Sequence, residues 1–267
     1  MSAIETSEIV CANGMAAFLA RPPGDEPNPL VILMHERYGL GQHTRDLALK
    51  CAADGFFVMA PNFFFRHPDQ AALNAGKARY DLSDMEALES FAAAVAAARR
   101  DPRADTHEIA VAGYCQTGRF PLVFAANAGI KAAIVWYGAA SKREWPATDL
   151  HPRTMEEIIA RLNCPVFAAF GADDHIISID DVRRFRDTLE QNRKSYDIHV
   201  YAGAPHGWLN DTMPGRYRKA QAAIAWAAQQ QFLAEVLRGG PNSSFVEWRF
   251  ESDIPADYDF ARNKRME

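Results

Sequence analysis

Short, near-continuous apolar runs recur along the chain, and polar segments of helical period separate them. The runs at residues 30–35, which ends on His35, 56–60, 109–112, 132–137, 165–170 and 198–201, which His199 interrupts, are each four to six residues long. Apolar runs of that length predict strands covered on both faces, as in parallel sheets. Between them the pattern predicts helices over 44–54, 83–100, from the 116 region to about 127, 154–162, 180–191 and 216–238. Thr44 is placed to cap the first of these and Gly55 to stop it. Strands alternating with helices predict one α/β domain, a mostly parallel sheet with helices on both faces. Ahead of it, two apolar stretches between 8 and 20 flank Asn13-Gly14, a pair suited to a type I′ turn, so the chain opens with an N-terminal β-hairpin.

The run 109–112 empties into Gly113-Tyr-Cys-Gln-Thr-Gly118. Strand, sharp turn and helix follow one another here, and such an elbow displays the side chain at its apex, Cys115, above the sheet edge. The backbone N–H of the next residue, Gln116, then points at whatever atom the thiol attacks. A buried free cysteine is the bland alternative, and it suits Cys11, Cys51 and Cys164.

A thiol nucleophile needs a base and a group to orient that base. Two later strands end in Gly171-Ala-Asp-Asp-His175 and Ala204-Pro-His-Gly-Trp208. Both stretches fall at C-terminal strand ends, where open α/β sheets place their sites. Asp174 is therefore the expected orienting acid and His206 the expected base, in the chain order nucleophile, acid, histidine. Asp173 competes with Asp174 for that role.

Composition narrows the function classes. With 48% hydrophobic residues, 267 residues suffice for a full core, and residues 1–238 are expected to form a single domain. There are 29 basic against 34 acidic residues and no dense basic run, which argues against a nucleic-acid partner. Four cysteines without metal-site spacing fit a reducing compartment, with no metal and no cofactor expected. The start of the chain lacks a signal-peptide pattern and no apolar run approaches the ~20 residues of a membrane span, so a cytoplasmic protein with no membrane partner is expected.

His35-Glu-Arg-Tyr-Gly-Leu40, Arg45-Asp46, Gly113-Tyr-Cys115, Asp174-His175 and His206-Gly207, in this order and spacing, resemble the dienelactone hydrolases (carboxymethylenebutenolidases). The resemblance spans about residues 8–237 and implies an α/β-hydrolase fold. It also implies a triad of Cys115, Asp174 and His206, with Glu36 as a carboxylate contacting the thiol. The backbone N–H groups of Arg37 and Gln116 match the oxyanion hole. Arg66 matches an arginine that binds the substrate carboxylate, and Tyr38 and Trp208 are placed at the substrate. The chain departs from the family pattern in three places. Thr117 replaces a second glycine after the nucleophile, which predicts a helix standing slightly farther from the sheet. Asn62 replaces an aspartate. Asn210 stands where a second carboxylate-binding arginine is expected, and Arg216 is the nearby substitute.

The implied activity is opening of activated lactones such as dienelactone through a thioester. The chemistry agrees, because a thiolate leaves a tetrahedral intermediate more readily than an ordinary alkoxide, whereas an enolate leaves readily enough for the reaction to go forward. A thiol esterase or lactonase for neutral activated esters is the nearest alternative. A non-catalytic protein with a redox-reactive or ligand-binding thiol is the alternative from another class. The expected partner is a small lactone or ester, and the protein a monomer or homodimer. Residues 239–267 lie beyond the resemblance. There Val246, Trp248 and Phe250 alternate with charged residues, a half-buried strand pattern expected to dock on the domain or on a partner subunit.

Overall fold

The computed structural model describes residues 3–239 and 246–259. A nine-stranded sheet of order β1-β2-β4-β3-β5-β6-β7-β8-β9 runs through the molecule. Its strands are β1 (Glu5–Val10), β2 (Ala16–Arg21), β3 (Asn28–Leu33), β4 (Phe57–Pro61), β5 (Ala104–Tyr114), β6 (Ala132–Trp136), β7 (Val166–Gly171), β8 (Tyr196–Tyr201) and β9 (Trp248–Ser252). The pairs β1·β2 and β2·β4 are antiparallel, and all others are parallel. No helix of the described residues is long and apolar enough to cross a membrane.

The apolar runs become strands because helices cover both faces. Along β3, Leu30 and Ile32 join one core cluster while Val31 and Leu33 join the other, as the two-residue side-chain period requires. The first cluster is closed by α3 (Asp84–Ala98), α4 (Phe120–Asn127), α5 (Met155–Ala160) and α6 (Ile179–Gln191). The second is closed by α1 (Gln42–Ala53) and α7 (Lys219–Leu237). Ser83, Thr154 and Ser178 cap α3, α5 and α6, each accepting from the backbone N–H three residues on.

Four local expectations are corrected. The opening hairpin turns through a longer loop in which Cys11 and Met15 still pair and only Gly14 takes positive φ, so it is not the two-residue type I′ turn. Gly41, not Thr44, is the N-cap of α1, and Thr44 is buried inside the helix. A short α2 (Gln70–Asn74), capped by Asp69, was not expected. Finally, α7 begins at Lys219, three residues later than the periodicity suggests, and the preceding turns carry Arg216 to the site.

The last strand, β9, pairs in parallel with β8, from Tyr196↔Trp248 to Val200↔Ser252. The expected burial of its apolar side chains is only partial. Arg249 binds Glu235 of α7 at 2.9 Å, and Val246, Trp248 and Phe250 are exposed, although Trp248 Nε1 donates to the Lys194 carbonyl at 3.0 Å and the Arg186 guanidinium lies over the Phe250 ring. The backbone ladder and the arginine, rather than apolar burial, attach this strand. Residues 240–245 and 260–267 of the extension lie outside the described residues.

Candidate active site

Cys115 sits directly after β5 with φ 55°, the left-handed region that non-glycine residues rarely adopt. The turn is held from below. A Cβ on Gly113 would lie 2.4 Å from the carbonyl oxygen of Thr117, so only glycine lets the following turn fold back onto the strand. Thr117 does not push this turn outward. It is fully buried, its hydroxyl donates to the His35 carbonyl at 2.8 Å, and its oxygen accepts from the Tyr114 N–H at 3.0 Å. The threonine thus ties the elbow to the loop after β3, which carries Glu36 and Arg37.

His206, in the loop after β8, brings Nε2 to 3.0 Å from Cys115 Sγ. Its Nδ1 donates to Asp174 Oδ2 at 2.8 Å. Asp174 is buried, and its other oxygen accepts the backbone N–H groups of Ile176 and Ile177 at 2.7 and 3.1 Å. That fixes the carboxylate toward the imidazole. Asp173 instead accepts from the Tyr258 hydroxyl, so of the two neighbouring acids Asp174 is the one that holds the histidine. The loops after β7 and β8 also touch, Asp173 N–H donating to Ala204 O at 3.1 Å, and a Cβ on Gly171 would lie 2.0 Å from that same oxygen. Burial acts to lower the His206 pKa. The adjacent Cys115 and Asp174, through charge and hydrogen bonds, outweigh it and hold the pKa well above the ordinary histidine value.

Glu36 is buried beside this group, yet its partners are not the thiol. Oε1 accepts the Tyr137 hydroxyl at 3.0 Å and Oε2 accepts the Asn210 amide at 2.7 Å. Asn210 is oriented in turn by Thr212, whose N–H and hydroxyl both donate to its oxygen. Tyr137 escaped the sequence reading. It follows β6 at φ 37°, and the signal available was its place at the C-terminal end of the strand beside the nucleophile strand.

Two cavities meet at Cys115. The larger, ≈ 580 Å³, is lined by Arg37, Gln116, Tyr137, Arg143, Ile176 and His206 among others. The smaller, ≈ 150 Å³, is lined by Glu36, Arg37, Tyr38, His175, Met213 and Arg216. Arg37 lines both cavities beside the thiol, and Gln116 lines the larger one. Gln116 stands in the first turn of the short helix Cys115–Arg119, where a backbone N–H has no intrahelical acceptor.

Arg66 and Trp208 are not at the site. Arg66 is 42% exposed and bound to Glu86 at 2.7 Å, away from both cavities. Trp208 is fully buried in the core against Trp136 and Tyr201. Tyr38 does line the smaller cavity. So does Arg216, whose guanidinium has no carboxylate partner among the described residues.

The sheet topology, the elbow after β5 and the acid and histidine after β7 and β8 together define an α/β-hydrolase. The chain belongs to the dienelactone hydrolase family, whose model matches residues 15–237, and is a hydrolase acting on ester or lactone bonds. A Salmonella typhimurium protein named "Putative carboxymethylenebutenolidase" is 30% identical over 229 residues, covering 83% of each chain. A Bradyrhizobium protein named "Probable 2-oxo-3-(5-oxofuran-2-ylidene)propanoate lactonase" is 25% identical over 213 residues, covering 79% of this chain and 85% of its own. A crystal structure of a "Putative Dienelactone Hydrolase" from Klebsiella pneumoniae superposes with a TM-score of 0.76 at 28% identity, covering 87% of this chain and 99% of that one.

Proposed function

We propose that the protein opens activated enol lactones by nucleophilic attack of Cys115, through a thioester. The observation that carries this reading is the unbroken Cys115–His206–Asp174 chain, with hydrogen-bond distances of 3.0 and 2.8 Å and the thiol at the floor of the cavities. A histidine whose pKa is held up stays protonated near neutral pH, and as imidazolium it is the counter-ion for a thiolate.

The steps follow from this arrangement. The Cys115 thiolate adds to the lactone carbonyl, and the N–H groups of Arg37 and Gln116 receive the oxyanion. Collapse of the intermediate expels the enolate, which takes the proton from His206 Nε2, and leaves a Cys115 thioester. Water then attacks, giving a proton to the now neutral His206, and the thiolate departs as the acid forms. Asp174 accepts the Nδ1–H of His206 throughout and holds the ring. Glu36, occupied by Tyr137 and Asn210, braces the wall of the smaller cavity, and His206 is the proton partner of the thiol.

The preferred substrate in this reading is a lactone bearing a carboxylate, which Arg216 receives in the smaller cavity. The name of the Bradyrhizobium relative, a propanoate with an oxofuranylidene ring, describes such a molecule. A second reading, a thiol esterase for neutral activated esters, draws on the removal of Arg66 from the site. Kinetics on a carboxylated enol lactone and its methyl ester separate the two. The first reading expects a higher kcat/KM for the acid, and equal values favour the second. Mass spectrometry of acid-quenched enzyme should show the acyl group on Cys115, and an acyl group on another residue would refute the thiol mechanism.

A further inference from the structure

The segment after β9 reaches the two loops that hold the acid and the histidine. Because β9 runs parallel to β8, it delivers the chain to the C-terminal edge of the sheet, where the site lies. Asp253 then accepts the Ala202 N–H through Oδ1. Tyr258 goes further: its hydroxyl accepts the Gly203 N–H at 3.0 Å and donates to Asp173 Oδ1. Asp173 directly precedes Asp174, and Gly203 lies three residues before His206. One hydroxyl thus bridges the loop of the acid and the loop of the histidine. Ile254 and Tyr258 are partly buried against the core, so the bridge has an apolar seat. All of this lies beyond residue 237, where the match to the family ends.

We propose that residues 246–259 form a strap that positions the Asp174–His206 pair, with Tyr258 and Asp253 as its positioning residues. The physical reason is the geometry of the hydrogen bonds in the site. The Asp174–His206–Cys115 chain joins three separate loops, and a histidine displaced by a fraction of an ångström holds the thiolate less well. A misplacement of 1 Å can cost ~100-fold in rate. Among the described residues none of the strap lines either cavity, so it acts on the reaction only through the two loops.

The strap takes its catalytic consequence from the thiol reading above, and its test is independent of any lactone. Wild type, Tyr258→Phe and Asp253→Ala are alkylated with iodoacetamide between pH 5 and 9, and modification is followed on the Cys115 peptide by mass spectrometry. The expected result for Tyr258→Phe is alkylation at pH 6 slowed roughly ten-fold and a reactivity profile displaced to higher pH, because the imidazolium partner is less well held. With an enol lactone, kcat falls by a similar factor while KM stays. Asp253→Ala moves both in the same direction by less. A pH profile of alkylation unchanged in both variants overturns the strap, whatever happens to thermal stability. Since alkylation consumes no lactone, it reads the strap even if no lactone is turned over.

Discussion

The side-chain amide of Asn210 donates to Glu36 Oε2 at 2.7 Å, four residues beyond the histidine that faces the thiol. With the Tyr137 hydroxyl on the other oxygen, the carboxylate is held by two neutral donors while Cys115 has His206. Glutamine fits the same place, offering its carbonyl to the Asn210 amide and its own amide to Tyr137. Glu36→Gln is therefore expected to fold normally and to keep kcat/KM within about ten-fold of wild type. A proton-transfer group is worth ~10²–10⁴-fold, so a loss of that size in steady-state assays would make Glu36, not His206, the acceptor of the thiol proton. Asn210→Leu should instead cost stability, about 1 to 3 kcal/mol in urea denaturation, because a buried carboxylate loses a donor.

Arg216 and Arg66 are predicted to differ sharply. Arg216 lines the smaller cavity without a carboxylate partner among the described residues, and Arg66 is bound to Glu86. Arg216→Ala should raise KM for a carboxylated lactone by about 10- to 100-fold, the equivalent of one charge-assisted hydrogen bond of ~1.5–3 kcal/mol. Its KM for the uncharged methyl ester should scarcely move. Arg66→Ala should leave both values near wild type. Equal losses on both substrates in the Arg216 variant would mean that this arginine shapes the loop and does not bind the carboxylate.

What was legible in the sequence followed from periodicity and strand-end placement. Each of the six apolar runs became a parallel strand because both faces are covered. Cys115, Asp174 and His206, which the structure brings into one hydrogen-bonded chain, could be picked out because all three follow such runs. The choice between Asp173 and Asp174 was not legible, since it depends on Tyr258, some 85 positions away, which occupies Asp173. Trp208 was misplaced because a tryptophan next to a site residue is indistinguishable in sequence from one facing the core. Arg66 was misplaced because its partner, Glu86, lies twenty residues on, in α3. The apolar side chains of β9 stay largely exposed, against an expectation based on burial, because the strand is attached by its ladder to β8 and by the Arg249–Glu235 pair.

Acid stability should carry the mark of His35. This histidine is fully buried, and burial lowers its pKa to about 4, with the hydrogen bond to the Glu36 carbonyl opposing in part. The unfolded chain binds the proton near pH 6.5 and the native state only near 4, so the unfolded state holds more protons in that window. Stability is therefore constant with respect to this group above pH 6.5 and is lost as pH falls, by roughly 3 kcal/mol at pH 4. Stability curves of wild type and His35→Gln should run parallel above pH 6.5, and wild type should lose roughly 3 kcal/mol relative to the variant by pH 4. Curves that stay parallel down to pH 4 would show that His35 protonates equally in both states.

The thioester mechanism stands or falls on the thiol at the elbow. Turnover of a carboxylated enol lactone by Cys115→Ala, compared with wild type under saturating substrate, measures its contribution directly. The mechanism predicts a loss of more than about 1,000-fold with an unchanged thermal unfolding curve, because the nucleophile is gone while the fold retains its core. Wild-type turnover by the Cys115→Ala enzyme would contradict it and place the chemistry on another group.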